Sequence, residues 1–418
     1  MTYDAIIIGG GAAGFFTAIN LAKLNSNLNI LIVERGAQVL EKVKISGGGR
    51  CNVTHSIFEP RPLTDNYPRG KRELLGPFHT FLTGDTMAWF EERGVSLKIE
   101  DDGRIFPTSD SSQTIIDCFL KEAETFGITI KTKCPIVDIG QIEGQWQVKG
   151  KTEKFISKSV VLATGSNPKM LNVIERKGVK VISAVPSLFT FNIKDKRIES
   201  LAGLSTPAKV SLLDRTKKPI KLSSTSDVDL SYSEGPVLIT HWGMSGPGIL
   251  KLSAWGARVL NELEYDFFIC VNWLPKLESE ELKEQLADIK IKLAKQTITK
   301  WSPFDLPKRL WQSLVEASAI QPDKKWADAT KNDFQNLERQ LLESIFQVNG
   351  KSTFKEEFVT AGGVNLKEID FKTYQSKQFD RLYFVGEILD IDAITGGFNF
   401  QSAWTGGYIA AQAISKQL

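Results

Sequence analysis

Residues 5–34 read AIIIGGGAAGFFTAINLAKLNSNLNILIVE. Ala5–Ile8 is a short apolar, β-branched run of the kind buried on both faces of a parallel sheet. Glycines follow, then Phe15–Leu24 with helical spacing, then a second apolar strand, Ile30–Val33, ending in Glu34. Strand, glycine turn, helix and strand within about 30 residues is the size of one βαβ unit. Gly9, Gly11 and Gly14 form G-x-G-x-x-G. In such a turn the first glycine permits the bend, the second lets backbone approach a pyrophosphate, and the third lets helix and strand pack closely. The pyrophosphate then meets the free N–H groups and positive dipole end at the helix start, around Ala12 and Ala13. Glu34, with Arg35 beside it, stands where an acid accepts hydrogen bonds from an adenosine ribose. The alternative is a packing turn that holds no ligand.

Working outward, the chain has 418 residues, which suggests about two to three domains. The net charge of +3 is too balanced to imply a nucleic-acid footprint. Apolar residues at 42% and charged residues at 24% suit a packed globular protein and not a disordered one. Four Cys and three His exclude a disulfide scaffold, a Cys-rich zinc module and a His-rich metal centre, so no metal is expected. No segment approaches the ~20 apolar residues of a membrane span. Met-Thr-Tyr-Asp leads straight into a strand without a basic leader, so a cytoplasmic location is expected.

Residues 44–72 read as irregular. Asp85–Arg93 and Gln113–Phe126 read as helices, the second capped by Asp110 or Ser111 and ended by Gly127. Runs at 136–139, 145–149 and 154–157 suggest an antiparallel meander, and Ser159–Ala163 a second buried strand. Residues 188–271 alternate apolar and polar, as in a barrel or sandwich. Residues 277–344 are helical in pattern, broken at Pro303, Pro307 and Pro322. Leu382–Val385 is a buried strand and Ser402–Ile414 an Ala-rich closing helix. The expected fold is α/β: a Rossmann-like domain built from both chain ends, 1–187 and 359–418. Inserted between them are an antiparallel β-barrel at 188–275, a helical subdomain at 276–344 and a return strand at 345–358.

Four further stretches bear on the ligand. Ala163-Thr164-Gly165 ends one strand, and Gly386-Glu387 ends another. In flavoproteins such strand ends frame FAD, with the acid on the ribitol. Ser46-Gly47-Gly48-Gly49-Arg50-Cys51-Asn52 cannot fill a core. It suits backbone lying against a flat ring or a phosphate, with Gly48, Gly49, Arg50, Cys51 and Asn52 as candidate contacts. Thr395-Gly396-Gly397-Phe398-Asn399 leads into the closing helix. Gly396, Gly397 and Asn399 are placed to meet the N1–C2=O edge of the ring, where helix N–H groups would hold negative charge.

FAD is therefore the expected cofactor. No second G-x-G-x-x-G follows a strand past residue 100, so any NAD(P)H would react transiently at the flavin face. Cys51 has Ser56 five residues on and Cys118 as its next thiol, so a packing thiol is expected rather than a redox pair. His241 is the best-placed acid–base candidate, with a role bracing its turn at least as well founded. Trp301, Trp311 and Trp326 in the Lys-rich 277–344 stretch suggest buried Trp behind a solvated charged face more than a nucleic-acid surface.

Gly9–Gly14, Ser46–Asn52, Thr240-His241-Trp242-Gly243-Met244-Ser245-Gly246-Pro247, Thr360-Ala361-Gly362-Gly363-Val364 and Gly386-Glu387 with Thr395–Asn399 span the chain. In these strings the sequence resembles the BaiN/YhiN-like flavoproteins, a family that includes aminoacetone oxidase. It departs modestly, with Ser166 after Ala-Thr-Gly where many relatives have Gly, and Gly-Phe-Asn-Phe at 397–400 where Gly-Tyr-Asn-Leu is usual. The resemblance implies an FAD-binding fold with an inserted barrel and helical subdomain. It also implies reactions as different as reduction of a conjugated steroid-type double bond and oxidation of a small amine. The expected function is an FAD-dependent oxidoreductase moving a hydride between flavin N5 and a small or conjugated organic substrate. A small molecule rather than nucleic acid is the expected partner. A flavin-dependent RNA-modifying enzyme and a redox-sensing flavoprotein without turnover stay open.

Overall fold

The computed structural model describes residues 2–222, 231–352 and 359–418. The chain divides into two compact units, residues 1–185 with 355–418, and residues 186–354.

The first unit is built on a parallel sheet whose strands are, in spatial order, Leu382–Phe384, Lys154–Leu162, Thr2–Ile8, Ile30–Val33 and Thr129–Lys131. All four residues of Ile30–Val33 are buried, which explains its unbroken apolar run. The register aligns Ile8 with Val33 on one side and Leu162 on the other, and Leu162 with Phe384. Lys154–Leu162 is one continuous strand where the sequence suggests two. Its first half pairs antiparallel with Gln145–Gly150, and Ile136–Ile142 completes the meander. Ser157 and Ser159, both fully buried, interrupt the apolar pattern, and the Ser157 hydroxyl donates to the Ser159 carbonyl.

Two helices cross this sheet edge together, Ala12–Leu24 and the closing helix Phe398–Gln417. A Cβ on Gly407 would stand 2.9 Å from Thr17 Oγ1 and 3.2 Å from Ala13 O, so the glycine sets their separation. Phe16, Trp89, Phe119 and Trp404 form an aromatic core beneath them, with Phe16 at 4.6 Å from Trp89 and 5.1 Å from Trp404. The 44–72 stretch is more ordered than its Gly and Pro content suggests. It holds the end of the kinked helix Glu41–Gly49, the strand Thr54–His55, and Pro60–Thr64, with Lys71–Phe78 beginning at its end. These elements are too short to show a hydrophobic period. In Ser112–Thr125 the cap is Ser111, whose side chain accepts from Gln113 N–H.

The second unit resolves the barrel-or-sandwich alternative. Its strands run Ser344–Asn349, Asp266–Asn272, Ser205–Leu213, Tyr232–Thr240, Gly243–Ser245, Thr190–Asn192 and Lys351–Ser352. The first and last are joined by Gly350 alone, at φ +91°, so one continuous segment pairs with Asp266–Asn272 at its start and with Thr190–Asn192 at its end, as in a barrel. Helices Ser279–Lys292, Lys308–Ala317 and Lys331–Leu342 share one core with the barrel, in which Val210, Ile269 and Trp273 lie with Leu310, Leu314 and Leu337. The helical stretch therefore has no core of its own: each helix has one apolar face, and the barrel covers it. Of the strand expected at 345–358, residues 353–358 lie outside the described residues, as do residues 223–230 of the expected barrel.

Candidate cofactor site

The register of the parallel sheet brings four distant motifs to one edge. Ile8, Val33, Leu162 and Phe384 end side by side, so Gly9, Glu34, Ala163 and the Gly386-Glu387 pair follow at the carboxyl ends of neighbouring strands. In open α/β sheets that edge is where ligands bind.

The glycines of the first turn divide by task. At Gly9, φ is +116° and a Cβ would stand 2.3 Å from Ala163 O; at Gly14 it would stand 2.1 Å from Gly9 O. Both are required by backbone contact. At Gly11 nothing lies within 4 Å, so that face is open to a ligand. Gly11 is also the N-cap of Ala12–Leu24, and no side chain caps its N–H groups. An uncapped helix start behind an open glycine fits a pyrophosphate.

Glu34 is fixed by its own backbone: Gly10 N–H donates to Oε2 at 2.9 Å and Gly36 N–H to Oε1 at 2.7 Å. Lone pairs remain for ribose hydroxyls. Arg35 next to it is exposed.

Glu387 gathers residues that sequence reading missed. Its Oε1 accepts from the Thr360 N–H at 3.3 Å and hydroxyl at 3.2 Å, and Lys42 Nζ forms an ion pair with Oε2. Gly165, at φ +59°, lies beside it, where a Cβ would be 3.6 Å from Oε2. Gly386, at φ +73°, would bring a Cβ within 2.9 Å of Ala13 Cβ, so this turn packs onto the dinucleotide helix. Thr360 had a signal in the Thr360–Val364 string; Lys42, in an ordinary amphipathic segment, had none.

The Ser46–Asn52 loop is a left-handed backbone run, with φ +59°, +68° and +85° at Gly47, Gly48 and Gly49. Nothing lies within 4 Å of a Cβ placed on Gly48 or Gly49, so both present open backbone. The next side chains have partners within the protein or are buried. Arg50 donates to Glu100 at 2.6 Å and Asp110 at 3.4 Å, over the Phe106 ring at 3.9 Å. Cys51 is fully buried at φ +60°, and burial pushes its thiol up to about 12. Asn52 joins the loop to the closing helix, its amide oxygen accepting from Gly397 N–H at 3.0 Å and its nitrogen donating to Thr54 O at 2.9 Å.

Gly397, at φ +89°, is the N-cap of Phe398–Gln417, again with no side-chain cap. Gly396, at φ +131°, lies against the Phe398 ring, which stacks on His55 at 4.7 Å. Asn399 braces its turn: its amide clamps Ala393 N–H at 3.0 Å and Ala393 O at 3.2 Å. His241 belongs to the other unit. It is exposed in the turn between Tyr232–Thr240 and Gly243–Ser245. No group of three or more His, Cys, Asp or Glu able to hold a metal occurs among the described residues.

Open glycine backbone at Gly11, Gly48 and Gly49, two uncapped helix starts and two strand-end acids fit an extended dinucleotide such as FAD. The profile of the HI0933-like protein Rossmann domain matches residues 3–413. The chain belongs to this family. The HI0933-like kinship agrees with the resemblance read from the sequence, and the chain is an FAD-dependent oxidoreductase. It is 28% identical to a ribosomal RNA dihydrouridine synthase of Haemophilus influenzae, covering 99% of each chain. It is 27% identical to the Escherichia coli protein of that name, over 98% of this chain and 97% of the other. It is also 26% identical to a 3-dehydro-bile acid delta(4,6)-reductase of Clostridium scindens, over 98% of each. The HI0933-like chain shares its fold with a 3-ketosteroid-delta4-(5alpha)-dehydrogenase of Rhodococcus jostii, at TM-score 0.51 and 11% identity, covering 100% of this chain and 97% of that one.

Proposed function

We propose that this protein reduces a carbon–carbon double bond conjugated to a carbonyl, in the cytoplasm. The carrying observation is that full-length relatives of two substrate classes share this one reaction. A dihydrouridine synthase saturates the double bond of a uracil ring, and a delta(4,6)-reductase saturates double bonds conjugated to a ketone. FAD, when bound, supplies the hydride. The chain's own residues hold and orient it. Gly11 and the start of Ala12–Leu24 would take the pyrophosphate, Glu34 the adenosine ribose and Glu387 the ribitol. The start of Phe398–Gln417 would offer N–H donors to negative charge on the ring, for roughly 0.3–2 kcal/mol. Gly48 and Gly49 would lie against its face. NAD(P)H would reduce the flavin transiently, and His241 stays a candidate proton donor.

A second reading puts that double bond in RNA. Two of the full-length relatives are ribosomal RNA dihydrouridine synthases, and a net charge of +3 does not exclude a local basic surface. The test is anaerobic: holoprotein reduced with NADPH or dithionite is mixed with a uridine-containing ribosomal RNA fragment, or with a 3-keto-4,6-diene steroid. Flavin reoxidation with a product two hydrogens heavier is expected for one of them. Reoxidation by oxygen alone would refute the proposal.

A further inference from the structure

In the second unit the three Trp of the helical stretch part company. Trp311 and Trp326 are fully buried and stacked at 6.3 Å, whereas Trp301 is 54% exposed. Trp301 lines a concavity of about 270 Å³ with Lys300, Ser302, Phe304, Leu306 and Lys308. The wall is pre-set. Ser302 Oγ donates to Phe304 O at 2.8 Å and accepts from Phe304 N–H at 3.2 Å, and Phe304 packs on Trp311, itself tied to Ile298 O at 2.8 Å. Pro303 and Pro307 stiffen the same turn. Neither the Lys300 nor the Lys308 ammonium has an ion-pair or hydrogen-bond partner among the described residues. Lys295 and Arg309 flank them, and the acid within this stretch is Asp305.

An exposed aromatic face on a rigid turn, edged by lysines with no partner, has the chemistry of a site for one unstacked base and its flanking phosphates. We propose that the Trp301 pocket binds single-stranded RNA, with a base stacked on Trp301 and phosphates on Lys300 and Lys308. This rests on the RNA reading above. The pocket would anchor the RNA, while the reacting base is handled elsewhere.

The test uses FAD-loaded protein and a fluorescent uridine-rich single-stranded RNA, with binding followed by anisotropy at several salt concentrations. Wild type should bind with strong salt dependence. Trp301→Ala should weaken binding about tenfold, Trp301→Phe should keep most of it, and FAD content and melting temperature should not change. Lys300→Gln with Lys308→Gln should lower the salt slope by roughly 0.7 for each phosphate no longer neutralised. RNA binding that is indifferent to all these substitutions overturns the pocket and leaves the RNA reading standing. A wild type that binds no RNA overturns both. Trp301-dependent binding to anionic phosphatidylserine vesicles with no binding to RNA would also overturn the proposal, assigning the surface to membranes.

Discussion

Under the proposed function Glu387 meets the ribitol of FAD, next to the anionic pyrophosphate at the Gly11 turn. Lys42 is the cation set against that carboxylate. Its role follows from charge balance: without it, the acid and the cofactor repel. Lys42→Met should weaken FAD binding several-fold, more at low salt than at high salt. Adding Glu387→Gln should recover much of the loss, because the charge needing balance is gone. Titrating FAD fluorescence quenching on apoprotein measures both, and a double variant no better than Lys42→Met would refute the pairing. Cys51 makes a complementary prediction. A thiol held up near 12 is essentially un-ionised across physiological pH, and the thiolate is the reactive form. Native protein should resist iodoacetamide at this site, with little change until far above neutral pH. Cys51→Ser should leave flavin reduction and reoxidation intact. Loss of reducing capacity in a dithionite titration of that variant would reveal a thiol partner.

At the scale of elements, the contact between Ala12–Leu24 and Phe398–Gln417 matters most. The first helix starts at the dinucleotide turn, and the second starts at the turn tied to the Ser46–Asn52 loop through Asn52. Gly407 lets them meet, with Thr17 Oγ1 only 2.9 Å from where a Cβ would be. Gly407→Val overpacks this crossing and should cost about 1–3 kcal/mol. Because both helix starts would shift, FAD occupancy should fall with it. Urea unfolding with the flavin signal recorded in parallel checks both, and normal stability with full FAD would show that the crossing can relax. The same elements show what sequence could give. The G-x-G-x-x-G turn and Glu34 were readable because each needs a particular residue at a particular spacing. The protein partners of Arg50 and Asn399 were not readable, because a motif marks where the backbone goes, while Glu100, Phe106 and Ala393, which hold these side chains, lie outside the motifs.

For the whole molecule, the parallel sheet needs both chain ends. Leu382–Phe384 pairs with Lys154–Leu162, and the closing helix covers the dinucleotide helix. Residues 1–185 expressed alone hold the entire glycine motif, yet should not retain FAD. They lack Glu387 and the Gly396-Gly397 turn, and their aromatic core lacks Trp404. Supernatant from the heat-denatured fragment should contain no FAD, whereas the full chain should release it; a yellow fragment would refute this dependence.

Sequence pattern determined the α/β class and the dinucleotide turn from residue type and spacing within a few turns of chain, and the flavin from the order of such motifs along it. Only the tertiary structure decided that the segment around Gly350 joins the two ends of the strand order and that the helices have no core of their own. It also decided that Lys42 and Thr360 converge on Glu387 and that one Trp of three faces solvent. The physical reason is that these depend on which distant segments exclude water from one another: periodicity marks which face of an element is buried, and not which segment covers it.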